Sequence, residues 1–291
     1  MFRELLEKGE CMKLTQILLI TAIGFATSFF GSLVGGGDPI LNLFITAIGF
    51  ATSFIGSLFG AGSPILNGFL VTVLGLPSQQ AFATRRVSSI GTQLAEFYVF
   101  RKEGKIRWKI TAVLVPIAAI GASSGAFLVT LIPNAALKYV IGATALLTAI
   151  YLLLNPNIGV ENVEQKGRRG RFVGYTLIWF LGVVKETVGG MMGAIEKVVL
   201  VKCFGLTLNE AKGTKKPSEL IAAATSLAVF IFFGLPVWPV GLALIAGSAP
   251  GAFCGSTLQL KKLGDKGVRW FVILILIGLS VQLFFFQEID F

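Results

Sequence analysis

The chain has 291 residues, of which 54% are hydrophobic and 14% are charged, whereas ordinary soluble domains carry about 25% charged residues. The mean hydropathy is +0.80, and several apolar runs approach the roughly 20 residues that cross a bilayer. The formal net charge is +10, but the lysines and arginines concentrate in short loops between apolar runs, as in cytoplasmic loops of membrane proteins. The composition therefore excludes a large soluble domain and argues against a nucleic-acid partner. It predicts an all-α polytopic membrane protein surrounded by a lipid bilayer.

Residue types that serve metal and catalytic chemistry are scarce. The chain has no histidine, which removes the commonest metal ligand and the usual proton carrier near neutral pH. The three cysteines, Cys11, Cys203 and Cys254, lack the spacing of a metal site or of a disulfide framework. We therefore expect no metal, no cofactor and no enzymatic activity. The alternative, an enzyme embedded in the membrane, would need a catalytic constellation that these residues do not supply.

The chain begins with a polar segment and then a close internal repeat. Residues 1–13 lack a small-residue cleavage site, so we expect no removable signal peptide. Residues 20–42 recur as residues 45–67, with 19 of 23 positions identical. The offset is about the length of one transmembrane helix. We predict that residues 14–38 are one extra transmembrane helix from a local duplication, whether natural or engineered.

A second, longer repeat relates the two halves of the chain. Residues 75–88 recur 130 positions later as residues 205–218, with five of 14 positions identical. Further glycines and tryptophans keep the same offset: Gly104 and Gly234, Trp108 and Trp238, Gly121 and Gly251, Gly125 and Gly255. An unbroken series of this kind indicates an internal structural repeat. Only the inner copy of the short duplication, residues 45–67, is in register with it.

Each half is predicted to contain five helices, one of them short. In the first repeat, residues 39–154, the helices are 39–59, the short 64–74, 81–100, 108–132 and 136–154. A polar linker occupies residues 155–171. In the second repeat, residues 172–291, they are 172–187, the short 194–204, 217–233, 237–258 and 267–286. The two Gly-x-x-x-Gly pairs at 121–125 and 251–255 are expected to let helices pack closely.

Charge in the loops predicts the orientation of these helices. If the basic loop 101–109 is cytoplasmic and each half crosses five times, then the linker and the basic loop 261–269 are cytoplasmic too. If the short helix instead completes one broken crossing, the loop 261–269 falls outside. Five crossings therefore fit better, and an odd number makes the two halves inverted, as in many secondary transporters. The N-terminus is then cytoplasmic and the C-terminus external.

Glycine-rich breaks precede the two short helices. Residues 60–64 (Gly-Ala-Gly-Ser-Pro) precede the first, and residues 189–193 (Gly-Gly-Met-Met-Gly) precede the second. A helix that starts from such a break presents free N–H groups, which attract anions. Short, broken helices at corresponding places are a pointer to a transporter site. The alternative is that these glycines serve only helix packing.

A threonine followed by two cations recurs in both halves, as Thr84-Arg85-Arg86 and Thr214-Lys215-Lys216. These motifs are expected at the heads of two helices. Cations are expensive in a membrane, so they tend to face a cavity or to pair with anions. We expect the threonine hydroxyls to bind an oxyanion and the cations to attract it. The alternative is that the cations extend to the membrane surface.

The expected substrate-binding residues come from both halves. They are Gly60, Gly62, Ser63, Asn67, Thr84, Arg85, Ser88, Gly189, Gly190, Gly193, Lys197, Thr214, Lys215 and Ser218. Four carboxylates in or near apolar segments are candidates for proton coupling: Glu96, Glu186, Glu196 and Glu219. The alternative for these carboxylates is that they form charge pairs that hold helices together.

These motifs occur in the same order in both halves, and in this they resemble the sulfite exporter TauE/SafE family of permeases. The resemblance covers roughly residues 45–286. The shared pattern is a glycine-rich break before a short helix that begins with proline, then Gly-Leu-Pro-x-x-x-Ala-x-x-Thr, then a basic loop ending in Gly-x-x-x-Trp, and then Gly-x-x-x-Gly. The extra helix departs from this pattern, as does the second break, which lacks the proline and is flanked by Lys185-Glu186 and Glu196-Lys197.

The resemblance implies a secondary transporter in a prokaryotic inner membrane. It would move small sulfur-containing anions such as sulfite or organosulfonates by alternating access, with proton coupling as an option. The other functions that fit are a permease for a different small anion and a non-transporting sensor or structural membrane protein. Exact substrate, direction of transport, coupling ion and oligomeric state stay open.

Overall fold

The computed structural model describes residues 39–154, 168–188 and 192–260, together with residues 273, 276–278 and 280–283. Its described elements are all α-helices. They are α1 (Pro39–Phe59), α2 (Gly62–Thr72), α3 (Ser78–Lys102), α4 (Trp108–Leu131), α5 (Asn134–Leu154), α6 (Arg168–Val188), α7 (Met192–Phe204), α8 (Leu208–Phe232) and α9 (Trp238–Leu260). The described residues beyond residue 260 are helical as well. The predicted extra helix, the linker residues before Arg168 and the ends of the predicted last helix lie outside the described residues.

The predicted start of α8 is wrong by nine residues. The sequence-based start was Pro217, whereas the helix begins at Leu208 and contains Pro217 in its interior. The true start is fixed by a reciprocal cap, because the Thr207 hydroxyl accepts the Glu210 N–H at 3.3 Å and Glu210 accepts the Thr207 N–H at 3.1 Å. The start of α3 is likewise Ser78 rather than residue 81. Both threonine–cation motifs therefore lie inside helices, not at their heads.

The 130-residue repeat is visible in the helix boundaries. Helices α3 and α8 have 25 residues each, and their first residues are 130 positions apart. The turns beside them repeat as well. Gly75 and Gly205 have φ of 64° and 66°, and Gly104 and Gly234 have the same two values. This left-handed conformation suits glycine, so the sequence repeat preserves the turns as well as the helices.

The two halves are packed reciprocally. Helix α4 of the first half packs most extensively on α8 and α6, while its repeat counterpart α9 packs on α1 and α3. Glycines permit these close approaches. A Cβ on Gly125 would lie 2.6 Å from the Val183 carbonyl oxygen. A Cβ on Gly251 would overlap the carbonyl oxygen of Phe50. The prediction that the Gly-x-x-x-Gly pairs serve packing is therefore confirmed.

Three described helices are long and apolar enough to cross a membrane: Pro39–Phe59, Trp108–Leu131 and Trp238–Leu260. Many large hydrophobic side chains of the described helices face outward. Trp108 and Trp238, at the starts of α4 and α9, are 55% and 46% exposed, which suits side chains at a membrane boundary. Apolar outer faces around a polar interior are the arrangement of a membrane-embedded helical protein.

Candidate functional site

A polar cavity of about 150 Å³ lies between the two halves. Helices α1, α2 and α3 form its wall on the side of the first half, and α6, α7 and α8 form it on the other side. Leu66 and Ala222 are the apolar residues among those that line it. One water molecule needs roughly 10–15 Å³ of such space, so the cavity has room for a small hydrated or partly dehydrated ion.

Positive charge exceeds negative charge around this cavity. Its described wall contains seven lysines and arginines: Arg85, Arg86, Lys185, Lys197, Lys212, Lys215 and Lys216. Three carboxylates line it, those of Glu96, Glu186 and Glu219. A fourth, that of Glu196, is ion-paired with Lys185 and Lys215. Even with all four carboxylates ionised, three formal positive charges are left without a counter-charge from these residues.

Several of these charges form buried ion pairs across the two halves. Arg86 of α3 pairs with Glu186 of α6. Lys216 of α8 pairs with Glu96 of α3, and it also contacts Glu219 of its own helix at 2.6 Å. The Lys212 Nζ lies 3.9 Å from Glu96. Breaking such a pair by removing one partner typically costs about 3–5 kcal/mol, so these contacts tie α3 to α6 and to α8.

A second group of ion pairs lies within the second half. The Lys185 Nζ is 2.6 Å from Glu219 and 3.3 Å from Glu196. The Lys215 Nζ is 2.9 Å from Glu219, contacts Glu196, and donates a hydrogen bond to the Gly193 carbonyl at 3.1 Å. The lysines here are therefore neutralised by carboxylates of the same half.

Arg85 and Lys197 differ from the other cations of the wall. Among the described residues, no carboxylate oxygen lies within 4 Å of either side chain. Arg85 is only 4% exposed, and its Nε and Nη2 atoms have no hydrogen-bond partner among the described groups. Its Nη1 makes one long hydrogen bond, 3.4 Å, to the Ser63 hydroxyl. A buried guanidinium with free donors is costly unless a counter-ion joins it.

The carboxylates of the site are distributed unequally between the halves. The cation pair Arg85-Arg86 of the first half corresponds to Lys215-Lys216 of the second half, 130 residues later. By contrast, the positions 130 residues before Lys185, Glu186, Glu196, Lys197 and Glu219 hold Ile55, Gly56, Leu66, Asn67 and Ser89. Glu96 of the first half corresponds to Ser226. The cavity therefore has a repeated set of cations but a set of counter-charges that lies mainly in the second half.

Most of the predicted site residues meet at this cavity. Eight of the expected substrate-binding residues line it: Gly60, Gly62, Ser63, Arg85, Ser88, Gly193, Lys197 and Lys215. So do three of the four candidate coupling carboxylates, Glu96, Glu186 and Glu219. Ligand binding by these residues stays a prediction, but their convergence from separate helices agrees with it.

The remaining predicted residues lie elsewhere. Ser218 and Glu196 line a smaller neighbouring pocket of about 30 Å³. Asn67 is buried in α2 away from the cavity wall, and its Oδ1 atom has no partner among the described groups. Gly189 and Gly190 lie outside the described residues.

The position of the two threonines corrects the expectation that they line the site. Both side chains are fully buried. The Thr84 hydroxyl accepts the N–H of Val237 at 3.0 Å, and the Thr214 hydroxyl accepts the N–H of Arg107 at 3.0 Å. These N–H groups lie directly before α9 and α4, respectively. Each threonine therefore holds the start of a helix that belongs to the other half.

Sequence reasoning missed some residues of the wall. Lys212 corresponds to Phe82 in the repeat, so the repeat gave no signal for it. The stripe of Ser89, Thr92 and Gln93 on α3, which leads from Arg85 to the predicted Glu96, did carry a signal. Its spacing of three and four residues places these side chains on one face of a helix, which continues the face of Arg85 into the cavity.

Comparison with known proteins identifies relatives over most of the chain. The sequence profile of the family described as sulfite exporter TauE/SafE matches residues 45–283. A probable membrane transporter protein of Haemophilus influenzae is 27% identical over 272 residues, which cover 93% of this chain and 95% of that protein. The probable membrane transporter protein ORF9 of a Sinorhizobium species is 27% identical over 72% of this chain and 80% of its own length.

Further relatives carry the same description. The probable membrane transporter protein YfcA of Escherichia coli K12 is 24% identical over 72% of this chain and 78% of its own length. No solved structure matches the chain. The family match begins at the inner copy of the duplicated helix and includes every described helix after it. By that match, and with a polar cavity between its two repeats, this chain belongs to the sulfite exporter TauE/SafE family of membrane transporters.

Proposed function

We propose that the protein is a secondary transporter of small anions and that the cavity between its halves is the transport site. The observation that carries this proposal is the excess of positive charge in a cavity between the two halves of a protein from a transporter family. Cations in the interior of a membrane protein are expensive and mark ion or substrate pathways. An anion that enters the cavity supplies the missing counter-charge.

The proposed substrates are sulfur-containing oxyanions, with sulfite and small organosulfonates as the first candidates. Support comes from the description of the family and from the donors of the wall. Guanidinium, ammonium and hydroxyl groups suit the oxygens of a compact oxyanion. We propose transport without a catalysed reaction.

Transport is proposed to proceed by alternating access between two inverted halves. Support comes from the reciprocal packing of α4 and α9 and from the position of the cavity between the repeats. The charge of the loops supports the inversion. Proton coupling through Glu96, Glu186, Glu196 or Glu219 is part of the proposal, because protonation of any of them would remove a negative charge that now lies beside the cations of the site.

Flux into proteoliposomes tests the function directly. Purified protein in liposomes should take up labelled sulfite with saturable kinetics, and unlabelled sulfite or a small organosulfonate should compete. Protein-free liposomes give the background leak. An imposed proton gradient should change the rate if the carboxylates couple transport to protons. Flux that does not saturate, or that equals the background for every sulfur oxyanion, contradicts the proposed substrate class.

A further inference from the structure

Two cations from opposite halves approach the start of the same short helix. Arg85 belongs to α3 of the first half, and its Nη1 lies 3.4 Å from the hydroxyl of Ser63 in the first turn of α2. Lys197 belongs to α7 of the second half. Its Nζ is 3.9 Å from the place where a Cβ on Gly60 would lie. The first N–H groups of α2, which begins at Gly62, have no side-chain cap.

These two cations are the ones that lack a carboxylate among the described residues of the wall. The other five each lie within 4 Å of at least one glutamate oxygen. Arg85 is buried, and two of its three nitrogens have no partner among the described groups. The start of α2 therefore combines uncapped N–H groups, a guanidinium with free donors and an ammonium with no paired anion.

We propose that the transported anion binds at this place, between Arg85 and Lys197 and against the first turn of α2. This inference rests on the proposed function and gives it a location. Two donors of a guanidinium can bind two oxygens of one oxyanion, and the helix N-terminus adds a favourable partial positive charge. Because Arg85 and Lys197 come from different halves, the bound anion is the counter-ion that joins them.

The equivalent place in the second half already contains its own anions. Lys215 corresponds to Arg85, and Gly193 corresponds to Ser63. Lys215 contacts the carboxylates of Glu196 and Glu219 and also the carbonyl of Gly193. Among the described residues there, these carboxylates leave no cation without an anionic partner. The proposal is therefore a single anion subsite on the side of the first half, although the cations themselves are doubled.

The test compares anion binding in matched variants of the purified full-length protein. The site variants are Arg85→Gln and Lys197→Asn, the latter introducing the residue found at the repeat position Asn67. The controls are Arg101→Gln on α3 and Lys202→Asn on α7, which change exposed side chains of the same helices. The probe is sodium sulfite, with sodium chloride at matched ionic strength as the reference. Binding is measured by the shift of the melting temperature and by calorimetry.

Each site variant should weaken sulfite binding by about 10- to 150-fold, the expected result of losing a hydrogen bond to a charged ligand. The two controls should bind like the unchanged protein. Arg85→Lys, which retains the charge but not the two-pronged donor, should bind with intermediate affinity. It also keeps the inference testable if Arg85→Gln does not fold.

Stability without the anion separates a binding role from a structural one. Arg85→Gln and Lys197→Asn remove charges that have no paired carboxylate, so neither should lower the melting temperature of the anion-free protein. Lys216→Gln deprives Glu96 and Glu219 of a partner and should lower it. If the two site variants instead melt well below the unchanged protein in the absence of sulfite, their cations are structural and the inference is overturned.

The outcomes for the inference and for the proposed function differ. Sulfite that stabilises the unchanged protein, both site variants and both controls equally would overturn the subsite while leaving anion binding intact. Sulfite that binds none of them would overturn the proposed substrate class, and the subsite with it. Binding that is lost in the site variants and retained in the controls supports both.

Discussion

At the residue scale, Thr84 and Thr214 show how a polar side chain in this protein can serve structure rather than ligand binding. Each hydroxyl lies at the interface of the two halves and accepts a backbone N–H from the other half at 3.0 Å. The Thr111 hydroxyl also donates to the Thr214 carbonyl at 2.8 Å. A buried N–H that loses its acceptor costs about 1–3 kcal/mol, so these threonines contribute to the stability of the assembled halves.

Replacing either threonine with valine should therefore destabilise the protein without changing the cavity. For Thr84→Val and Thr214→Val we expect a loss of about 1–3 kcal/mol, seen as a lower melting temperature. The sulfite affinity of the folded protein should be unchanged.

The matched controls for this prediction are Thr84→Ser and Thr214→Ser, which retain the hydroxyl and should melt closer to the unchanged protein. If the valine variants keep the melting temperature but bind sulfite more weakly, the two threonines bind the ligand and this prediction is wrong.

The sequence predicts the cations of the site but not the surroundings of each one. The doubled motifs correctly indicated a cationic cavity built by both halves. They could not show that Arg85 and Arg86 have different surroundings. Adjacent residues on a helix point about 100° apart, so Arg86 contacts the Glu186 carboxylate of α6, whereas Arg85 donates a hydrogen bond to Ser63 and lies over the Phe82 ring. Which cation is neutralised depends on how the helices of the two halves pack.

At the scale of elements, the apolar runs predicted the long helices well and the helix starts less well. The boundaries of α1, α4 and α9 are within about two residues of those expected from hydrophobic length alone. The predicted start of α8 differs from the observed one because proline is typical of a first helical turn, whereas Pro217 lies inside this helix. The cap formed by Thr207 and Glu210 sets the start instead. That cap is a recognisable sequence pattern, so the signal for the true start is present in the sequence itself.

Glycines of α4 and α6 allow a test of the packing between the halves. Gly125→Ala would place a Cβ 2.6 Å from the Val183 carbonyl oxygen and 2.5 Å from the Cβ of Glu186. We expect this variant to lose about 1–3 kcal/mol through overpacking. The loss should appear as a lower melting temperature and a smaller yield of folded protein.

Gly182 of α6 provides the control at the same interface. A Cβ there would be 3.8 Å from its nearest neighbour, the Cα of Gly121. Gly182→Ala should therefore be neutral or stabilise the protein by roughly 0.5–1 kcal/mol through helix propensity. Equal behaviour of the two alanine variants would contradict the packing of α4 on α6.

At the scale of the whole molecule, we predict that the two halves have opposite orientations in the membrane. The loop after α3 and the loop after α8 occupy equivalent positions in the repeat. If the halves are inverted, these loops lie on opposite sides of the membrane. Positive charge places the first loop in the cytoplasm.

Labelling of single cysteines at equivalent positions measures this orientation. In a chain whose natural cysteines are replaced, Glu103→Cys should react with an impermeant thiol reagent only after the membrane is opened. Phe233→Cys, 130 residues later and 43% exposed, should react in intact cells. Reporter fusions should place the N-terminus inside and the C-terminus outside. Labelling of both cysteines from the same side would rule out inversion.

The reciprocal packing of α4 and α9 also has a consequence for the time course of synthesis. Helix α1 buries residues such as Gly49 against Leu244 of α9. Because roughly 180 residues separate these helices and a growing chain gains about 5–20 residues per second, α1 waits about 10–40 s for its partner. During that interval the surface of α1 around Gly49 faces lipid or the insertion machinery. The first half is thus inserted early but completed late, and a ribosome that stalls between α5 and α9 leaves it without the surface that it folds against.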